Sequence, residues 1–294
     1  MNQNFDRYND GSDNAPRLRI GQTLWGMTAL PMNAAKEWTL DEKFERCREA
    51  GFEHVECWLT DENEIEIKAA LDRHDLRLVM GHRPFCVDDT RETVERAARL
   101  GADFIFAQPG SAYTPLEEAV DIVSEGRKIA NDAGLAFFVE THRNNFTETI
   151  AQTRQLIEAV PGIRMTGDLS HFVVVGEFYG WDGEGSEEKM ATILERVSHL
   201  HGRVSNGESA QVDVGDGSTD PARFFVKLWT IAMKNWLQGA GAGDVFPFSS
   251  ELGPPRYAIT LPDGTEFSDR WEQGIVLKQL AEEAWQNAGG STPA

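Results

Sequence analysis

The chain has 294 residues, enough for two ordinary domains or one large barrel. Hydrophobic residues make up 40% and charged residues 26%, which excludes a mainly disordered or fibrous protein. The 48 acidic and 28 basic residues give a net charge of −20, so the surface should repel phosphate backbones and anionic bilayers. We therefore expect a folded protein whose partners include neither nucleic acid nor membranes.

Short apolar or β-branched runs alternate with longer amphipathic stretches, a pattern typical of strands joined by crossover helices. Gly51, Gly101 and Gly134 follow three of the helical stretches as left-handed C-cap residues, and Thr147 stands at an N-cap position. The predicted strands are 20–25, 54–59, 77–82, 104–108, 136–142, 164–171, 198–204 and 246–252. The predicted helices are 40–50, 62–73, 90–100, 116–133, 148–160, 187–197, 221–237 and 271–285.

This order of elements predicts the fold class. Eight β/α units in a chain of this length favour a closed (β/α)8 TIM barrel over an open doubly wound sheet. Neither G-x-G-x-x-G nor G-x-x-x-x-G-K-[ST] occurs, so the nucleotide-binding loops of the open-sheet alternative are missing. We expect a single α/β barrel domain over 17–287, with a flexible polar leader (1–16) and a flexible tail (288–294).

Cysteine usage and segment hydropathy indicate the compartment. Cys47, Cys57 and Cys86 form no C-x-x-C and no paired framework, which suits a reducing environment. The apolar run 135–139 is far shorter than the ~20 residues that span a bilayer. The leader lacks the apolar core of a secretion signal. A cytoplasmic location follows as an expectation.

Metal-binding side chains stand at the ends of four successive predicted strands. A carboxylate there is costly to bury unless a cation or hydrogen bonds compensate for lost water. A single acid of this kind is usually a cap or an ion-pair partner, but four groups converging in a closed barrel favour a divalent ion. The mostly oxygen donor set favours Mn²⁺ first, then Mg²⁺, with Co²⁺ or Zn²⁺ as alternatives. These four residues are Glu140, Asp168, His201 and Glu251.

The chain resembles the xylose-isomerase-like barrel superfamily of sugar isomerases and epimerases over roughly 17–285. The motifs that carry the resemblance are Val-Glu-Thr-His ending at His142, Gly-Asp-Leu-Ser-His ending at His171, His201-Gly-Arg203 and Ser-Glu-Leu-Gly around Glu251. The resemblance implies that the four strand-end residues bind the metal and that His171 and Arg203 contact substrate. It also implies that the two glutamates, Glu140 and Glu251, act as acid and base.

Two departures from the superfamily pattern restrict this inference. The common His-x-Lys-Asp is replaced by His201-Gly-Arg203, so the substrate contact there could differ. The Asp-x-His that endonuclease IV-like enzymes need is absent, because Asp213 is followed by Val214 and Gly215. A DNA-repair role is therefore disfavoured, as it is by the net charge.

Further strand-end residues are weaker candidates for substrate contacts. His82, His142, Trp25 and Gln108 could line the pocket, although a capped loop histidine and an indole in the core are common alternatives. Because metal binding lowers carboxylate basicity, His142 or His171 could be the base instead of a glutamate.

Two inward-facing residues are expected to act in support of the site. Glu56 could brace the barrel floor or pair with an arginine, and His199 should lie one layer below His201, outside the metal set.

The leading functional hypothesis is a metal-dependent isomerase or epimerase of a small sugar or polyol-derived carbonyl compound, acting by proton transfer next to a metal-bound carbonyl. The first alternative is a dehydratase or a lyase cleaving an oxidised glycoside at the same site. The second is a non-catalytic sugar-binding subunit. Tyr179, Trp181 and Phe178 after the sixth strand could form a lid or a subunit contact, so the chain could also form a homo-oligomer.

Overall fold

The computed structural model describes residues 5–178 and 185–291. Its strands are β1 (Tyr8–Asn9), β2 (Arg17–Thr23), β3 (His54–Cys57), β4 (Arg77–His82), β5 (Phe104–Ala107), β6 (Ala136–Glu140), β7 (Met165–Gly167), β8 (Val197–Gly202) and β9 (Asp244–Ser250). A short 3₁₀ helix (Trp25–Met27) precedes the α-helices. These are α1 (Leu40–Glu49), α2 (Glu64–Arg73), α3 (Val87–Leu100), α4 (Leu116–Asp132), α5 (Ile150–Ala159), α6 (Leu169–Val175), α7 (Ser186–Leu194), α8 (Asp220–Leu237) and α9 (Arg270–Asn287).

Strands β2 to β9 form one parallel sheet that closes on itself. Each strand pairs with its neighbour in chain order, and β9 pairs with both β8 and β2. The predicted (β/α)8 TIM barrel is therefore confirmed, with helices around the sheet. In such a barrel the carboxyl ends of all eight strands open on one face, where side chains remote in sequence meet.

Local sequence signals place the helices. Thr39 and Glu42 form a reciprocal capping box at the start of α1, and Gly101 ends α3 in a left-handed conformation with φ of 69°. Helix α5 begins later than expected, because Thr149 and not Thr147 is its N-cap. The hydroxyl of Thr147 instead donates to the carbonyl oxygen of Glu140 at 2.5 Å.

The barrel interior holds its own apolar cluster, separate from the larger core between strands and helices. Val79, Phe104, Phe106 and Phe138 are buried there, and each such side chain contributes ~1.5–3 kcal/mol on burial. Imidazole rings lie directly against this cluster, with ring centroids 5.1 Å apart for Phe106 and His201. The imidazole rings therefore pack on an apolar layer of the barrel interior, which excludes water from that side.

Several predicted boundaries differ from the structure, and two of these differences have a clear physical cause. The sixth predicted strand, 164–171, is too long, because the Asp168 carboxylate accepts from the backbone N–H of Ser170 and starts helix α6. The expected leader is also not loose throughout. Tyr8 is buried, β1 pairs antiparallel with β9, and Arg19 stacks on the Tyr8 ring at 4.6 Å.

Other expectations fall partly outside the described ranges. Residues 1–4, 292–294, Tyr179 and Trp181 are not described. Within the expected tail, the carbonyl of Ser291 accepts from the indole N–H of Trp285 at 3.0 Å. In the part of the chain that is described, no helix combines the length and apolar character that crossing a bilayer requires.

Candidate metal centre

Four side chains converge at the carboxyl ends of neighbouring strands. One ligand atom from each lies within 4.8 Å of the others. Three of the side chains are fully buried, and the fourth residue, Glu251, is 9% exposed. We call this group the ligand cluster, and it consists of Glu140 at the end of β6, Asp168 after β7, His201 in β8 and Glu251 after β9.

The atoms that face one another in the ligand cluster have no hydrogen-bond partner among the described residues. His201 Nδ1 lies 2.8 Å from Glu251 Oε2 and 3.3 Å from Glu140 Oε1, without hydrogen-bonding geometry. Buried polar groups are rarely left in this state, because each costs free energy unless something satisfies it. The donor set of three carboxylates and one imidazole suits a divalent cation. The residues present therefore fit a metal ion.

The protein holds the opposite oxygen of two of these carboxylates. Gln108 Nε2 donates to Glu140 Oε2 at 2.8 Å, so Oε1 is the oxygen that faces the cluster. The backbone N–H and hydroxyl of Ser170 donate to Asp168 Oδ1 at 3.1 and 2.5 Å, so Oδ2 faces the cluster. This arrangement orients one oxygen of each carboxylate before any ion binds.

A further carboxylate, outside the ligand cluster, contacts the other ring nitrogen of His201. Glu56 Oε1 lies 3.1 Å from His201 Nε2, on the side away from the ligand cluster. A carboxylate in this position fixes the orientation of a metal-binding imidazole. Of the two expectations for Glu56, pairing with an arginine is therefore wrong, since its ion-pair partners are His201 and His199.

His199 lies one layer deeper, as its strand parity predicts. Its Nδ1 is 3.1 Å from the Thr166 hydroxyl and its Nε2 is 3.0 Å from the Ser249 hydroxyl, which also contacts His54. Both ring nitrogens thus have partners. His199 forms a three-residue group with Glu56 and His201 that could also hold a cation, but it is not part of the ligand cluster.

Arg203 provides a permanent positive charge beside the ligand cluster. The residue is 1% exposed, and its two terminal nitrogens lie 3.0 Å from Asp168 Oδ2 and 3.0 Å from Glu251 Oε2. Its Nε donates to the carbonyl oxygen of Glu251 at 2.9 Å. The guanidinium therefore fixes two strand ends relative to each other and offsets part of the negative charge.

The electrostatic environment shifts the pKa values of the two glutamates in opposite directions. Burial raises the pKa of Glu140 to about 7. Burial also acts to raise the pKa of Glu251, but the positive charges of Arg203 and His201 outweigh it and lower the value. Near neutral pH in the metal-free protein, Glu251 is therefore ionised while Glu140 is poised to carry a proton.

Two histidines with tilted rings in contact, together with a tyrosine, lie beside the ligand cluster. The rings of His142 and His171 are 4.1 Å apart, and His171 Nε2 lies 3.3 Å from Asp168 Oδ2. His171 Nδ1 is buried without a hydrogen-bond partner in the described structure. The ring of Tyr257 lies 4.6 Å from the Arg203 guanidinium, and its hydroxyl is 3.5 Å from His142 Nε2. Sequence reasoning missed Tyr257, which follows a Pro-Pro-Arg segment after β9.

The weaker candidates are divided between the site and its surroundings. Trp25 packs edge-on against Tyr257 with ring centroids 5.3 Å apart, and Gln108 binds Glu140, so both belong to the site. The ring of His82 instead contacts helix α3. Its Nε2 and Nδ1 lie 3.2 and 2.9 Å from the hydroxyls of Thr90 and Thr93 on α3.

Because His82 is buried among these contacts, its protonation should affect the stability of the fold at acid pH. Burial lowers its pKa to about 4, whereas an unfolded histidine titrates near 6.5. The unfolded chain therefore binds more protons between these values, so this contribution to stability is full above about pH 6.5 and is lost as the pH falls. Between pH 7.0 and pH 4.5, the unfolding free energy measured with urea should fall by about 2 kcal/mol less in His82→Gln than in the wild type. Parallel losses would contradict the assignment.

Fold and site together define the class of protein: a (β/α)8 barrel with a candidate divalent-metal centre at the carboxyl ends of its strands. A family model for the xylose isomerase-like TIM barrel matches residues 44–239. The chain belongs to this family.

Similar solved structures share the fold at low identity. One is a xylose isomerase-like TIM barrel protein from Mycobacterium smegmatis in complex with magnesium, with 15% identity, TM-score 0.58 and coverage of 90% of this chain and 98% of that chain. D-allulose 3-epimerase from Methylomonas sp. has 16% identity, TM-score 0.58 and coverage of 94% and 99%. A probable 3-DHS dehydratase from Bacillus anthracis has 14% identity, TM-score 0.53 and coverage of 90% and 98%. No curated protein matches the chain.

Proposed function

We propose that this protein is a divalent-metal-dependent isomerase or epimerase of a small polyhydroxy carbonyl compound. The observation that carries the proposal is the ligand cluster, in which one oxygen or nitrogen from each of four strand ends faces a common point without a hydrogen-bond partner among the described residues. Family membership is consistent with an enzyme of this kind, since named structural neighbours include an epimerase.

A divalent ion held by the ligand cluster, with Mn²⁺ or Mg²⁺ as first choices, would supply the positive charge that stabilises an oxygen anion next to a deprotonated carbon. The proton itself is moved by this chain's own residues. Glu251 directly after β9 accepts it, and Glu140 at the end of β6 returns one from the other side, since these are the two glutamate carboxylates of the ligand cluster.

The surrounding residues bind and orient the substrate. His171 offers an unpartnered buried Nδ1 for a substrate oxygen, and the indole of Trp25 provides an apolar wall. His142 is a second candidate for proton transfer. Its Nδ1–H donates to the carbonyl of Arg143 at 2.5 Å, and burial lowers its pKa to about 3, so its Nε2 is unprotonated at neutral pH and faces the Tyr257 hydroxyl at 3.5 Å.

Deuterium exchange tests this function and separates it from the lyase alternative. We expect the Mn²⁺-reconstituted protein, incubated in D₂O with a panel of ketoses and inososes, to incorporate one deuterium beside the carbonyl carbon of its substrate. A chelated sample should incorporate none. Loss of water or of an aglycone would instead identify a dehydratase or lyase, since the same carbanion can expel a neighbouring group. Absence of exchange and elimination with every metal would leave only a sugar-binding role.

We also propose a cytoplasmic location, which the unpaired Cys47, Cys57 and Cys86 support. The proposed partner is a small carbohydrate.

A further inference from the structure

Arg143 is a cationic side chain at the site without an acidic partner. It lies just after β6, three residues beyond Glu140, and is half-buried. Its guanidinium contacts the ring of Tyr257 at 4.9 Å. No carboxylate of the described ranges lies within ion-pair distance of it, and the next acid further along the sequence, Glu148, accepts instead from the backbone N–H of Asn144 at 2.6 Å. A half-buried arginine that lacks a counter-ion carries a desolvation cost unless a ligand offsets it.

The contacts of Tyr257 connect Arg143 to the ligand cluster. The same ring contacts the Arg203 guanidinium at 4.6 Å and the ring of His171 at 6.3 Å. Arg143 therefore lies one aromatic ring away from Arg203 and His171, which both contact Asp168 of the ligand cluster.

The two arginines differ in what remains available to a substrate. Arg203 is occupied by Asp168 and Glu251. Three carboxylates of the ligand cluster, one guanidinium and one divalent ion sum to zero charge, so the cluster itself would be balanced. Arg143 adds a positive charge on the substrate side that this sum does not include. The negative charge of Glu56 lies on the opposite side of His201. In a chain with a net charge of −20, an anion would need such a local partner.

We propose that Arg143, held against Tyr257, binds an oxyanion at the end of the substrate remote from the metal. The substrate is then a sugar acid or a sugar phosphate and not a neutral sugar. This inference rests on the proposed function for its catalytic assay, but its binding assay does not. Arg143 and Arg203 are remote from each other in the sequence, and the fold brings both guanidinium groups to the same Tyr257 ring.

Three matched compounds test the substrate class. D-fructose, D-fructuronate and D-fructose 6-phosphate share the same carbonyl and hydroxyl groups and differ only at the far carbon, and the corresponding tagatose series provides a second configuration. We expect wild-type kcat/KM for deuterium exchange to be at least about 10-fold higher for an anionic member than for the neutral one. Arg143→Gln should remove about 10- to 100-fold of that activity and leave the neutral sugar nearly unchanged. The preferred anion identifies a carboxylate or a phosphate.

Arg83→Gln is the matched control. Arg83 lies on the same barrel face and is exposed, stacks on Phe85 at 5.7 Å and makes no contact with Tyr257. Its loss removes the same charge and should change kcat/KM less than about 2-fold. Arg143→Lys, which keeps the charge without the guanidinium fork, should retain part of the preference. Equal wild-type rates on neutral and anionic sugars, or equal losses on both in Arg143→Gln, would overturn the proposal.

A binding measurement separates this inference from the proposed reaction. Calorimetric titration of the Mn²⁺-loaded protein with D-glucuronate, D-glucose 6-phosphate and D-glucose needs no turnover. We expect tighter binding of one anion than of glucose in wild type, and loss of that difference in Arg143→Gln with an unchanged melting temperature. Such a result without any deuterium exchange would support the anion site and reject the isomerase function. Deuterium exchange without an anion preference would support the isomerase function and reject the anion site.

Discussion

Replacing Glu140 by Gln should abolish turnover, with a loss of about 10³-fold or more in kcat, while the barrel stays folded. The change removes a proposed acid–base group, worth about 10²- to 10⁴-fold by itself, and one negative ligand of the metal. The amide keeps the volume of the carboxylate, and its side chain can still contact Gln108, which lies 2.8 Å from Glu140 Oε2. The loss should therefore reflect chemistry and metal affinity, not misfolding.

The direction of the stability change distinguishes this outcome from structural damage. Because burial raises the pKa of Glu140 from about 4.5 to about 7, ionisation of this carboxyl destabilises the metal-free fold. A group with a raised pKa contributes stability that is present below its unfolded value and is lost as the pH rises through its folded value. Glutamine cannot ionise, so the metal-free variant should equal or exceed the wild type in unfolding free energy at pH 8.

The measurements are steady-state kinetics, Mn²⁺ titration calorimetry and urea unfolding of the metal-free protein at pH 6 and 8. Glu208→Gln is the control, since Glu208 is exposed in the loop after β8 and outside the ligand cluster. Glu251→Gln should behave like Glu140→Gln in activity. Full activity in either site variant would reject the proposed mechanism, and a melted Glu140→Gln protein at pH 8 would reject the account of its pKa.

The fold followed from periodicity because each β/α unit is local. Alternation of short apolar runs with amphipathic stretches depends on residues close in sequence, and closure follows from the number of units. Boundaries were less accurate where side chains reorganise the backbone. The turn after β7 could not be predicted from hydropathy, because residues 169–175 are largely apolar, as in a strand, whereas the Asp168 contact with Ser170 caps a helix there. The burial of Tyr8 depended on a partner strand far away in sequence.

Convergence of the ligand cluster could be predicted for the same reason. Strand ends must meet on one face, so acidic residues and a histidine at those ends had to come together. The residues around them could not be placed by such a rule. Tyr257 and Arg143 lie in loops whose direction depends on tertiary contacts, and sequence offers no periodicity there. The contact of Glu56 with His201 needed the register of strands across the barrel, which the alternation of one strand cannot supply.

Loss of Arg203 should destabilise the metal-free protein by about 3–5 kcal/mol, and a divalent ion should restore a large part of that loss. The guanidinium is buried between two carboxylates, and removing one partner of a buried ion pair leaves the other charge uncompensated. In Arg203→Met the three carboxylates of the ligand cluster face one another without this cation. An added Mn²⁺ would then offset more repulsion than it does in the wild type, so it should raise the melting temperature of the variant by more.

Arg19→Met provides the matched control for this linkage. Arg19 is equally buried, at 1% exposure, and pairs with Asp103 at 2.6 Å. Asp103 directly precedes β5, so this pair lies at the amino end of the barrel, away from the ligand cluster. Arg77 also pairs with Asp103, so the loss of Arg19 should cost less unfolding free energy than the loss of Arg203, and Mn²⁺ should not restore that cost beyond the wild-type shift. Thermal unfolding of the three proteins with and without Mn²⁺ decides the matter. If the metal raises the melting temperature of both variants equally, Arg203 does not balance the charge of the ligand cluster.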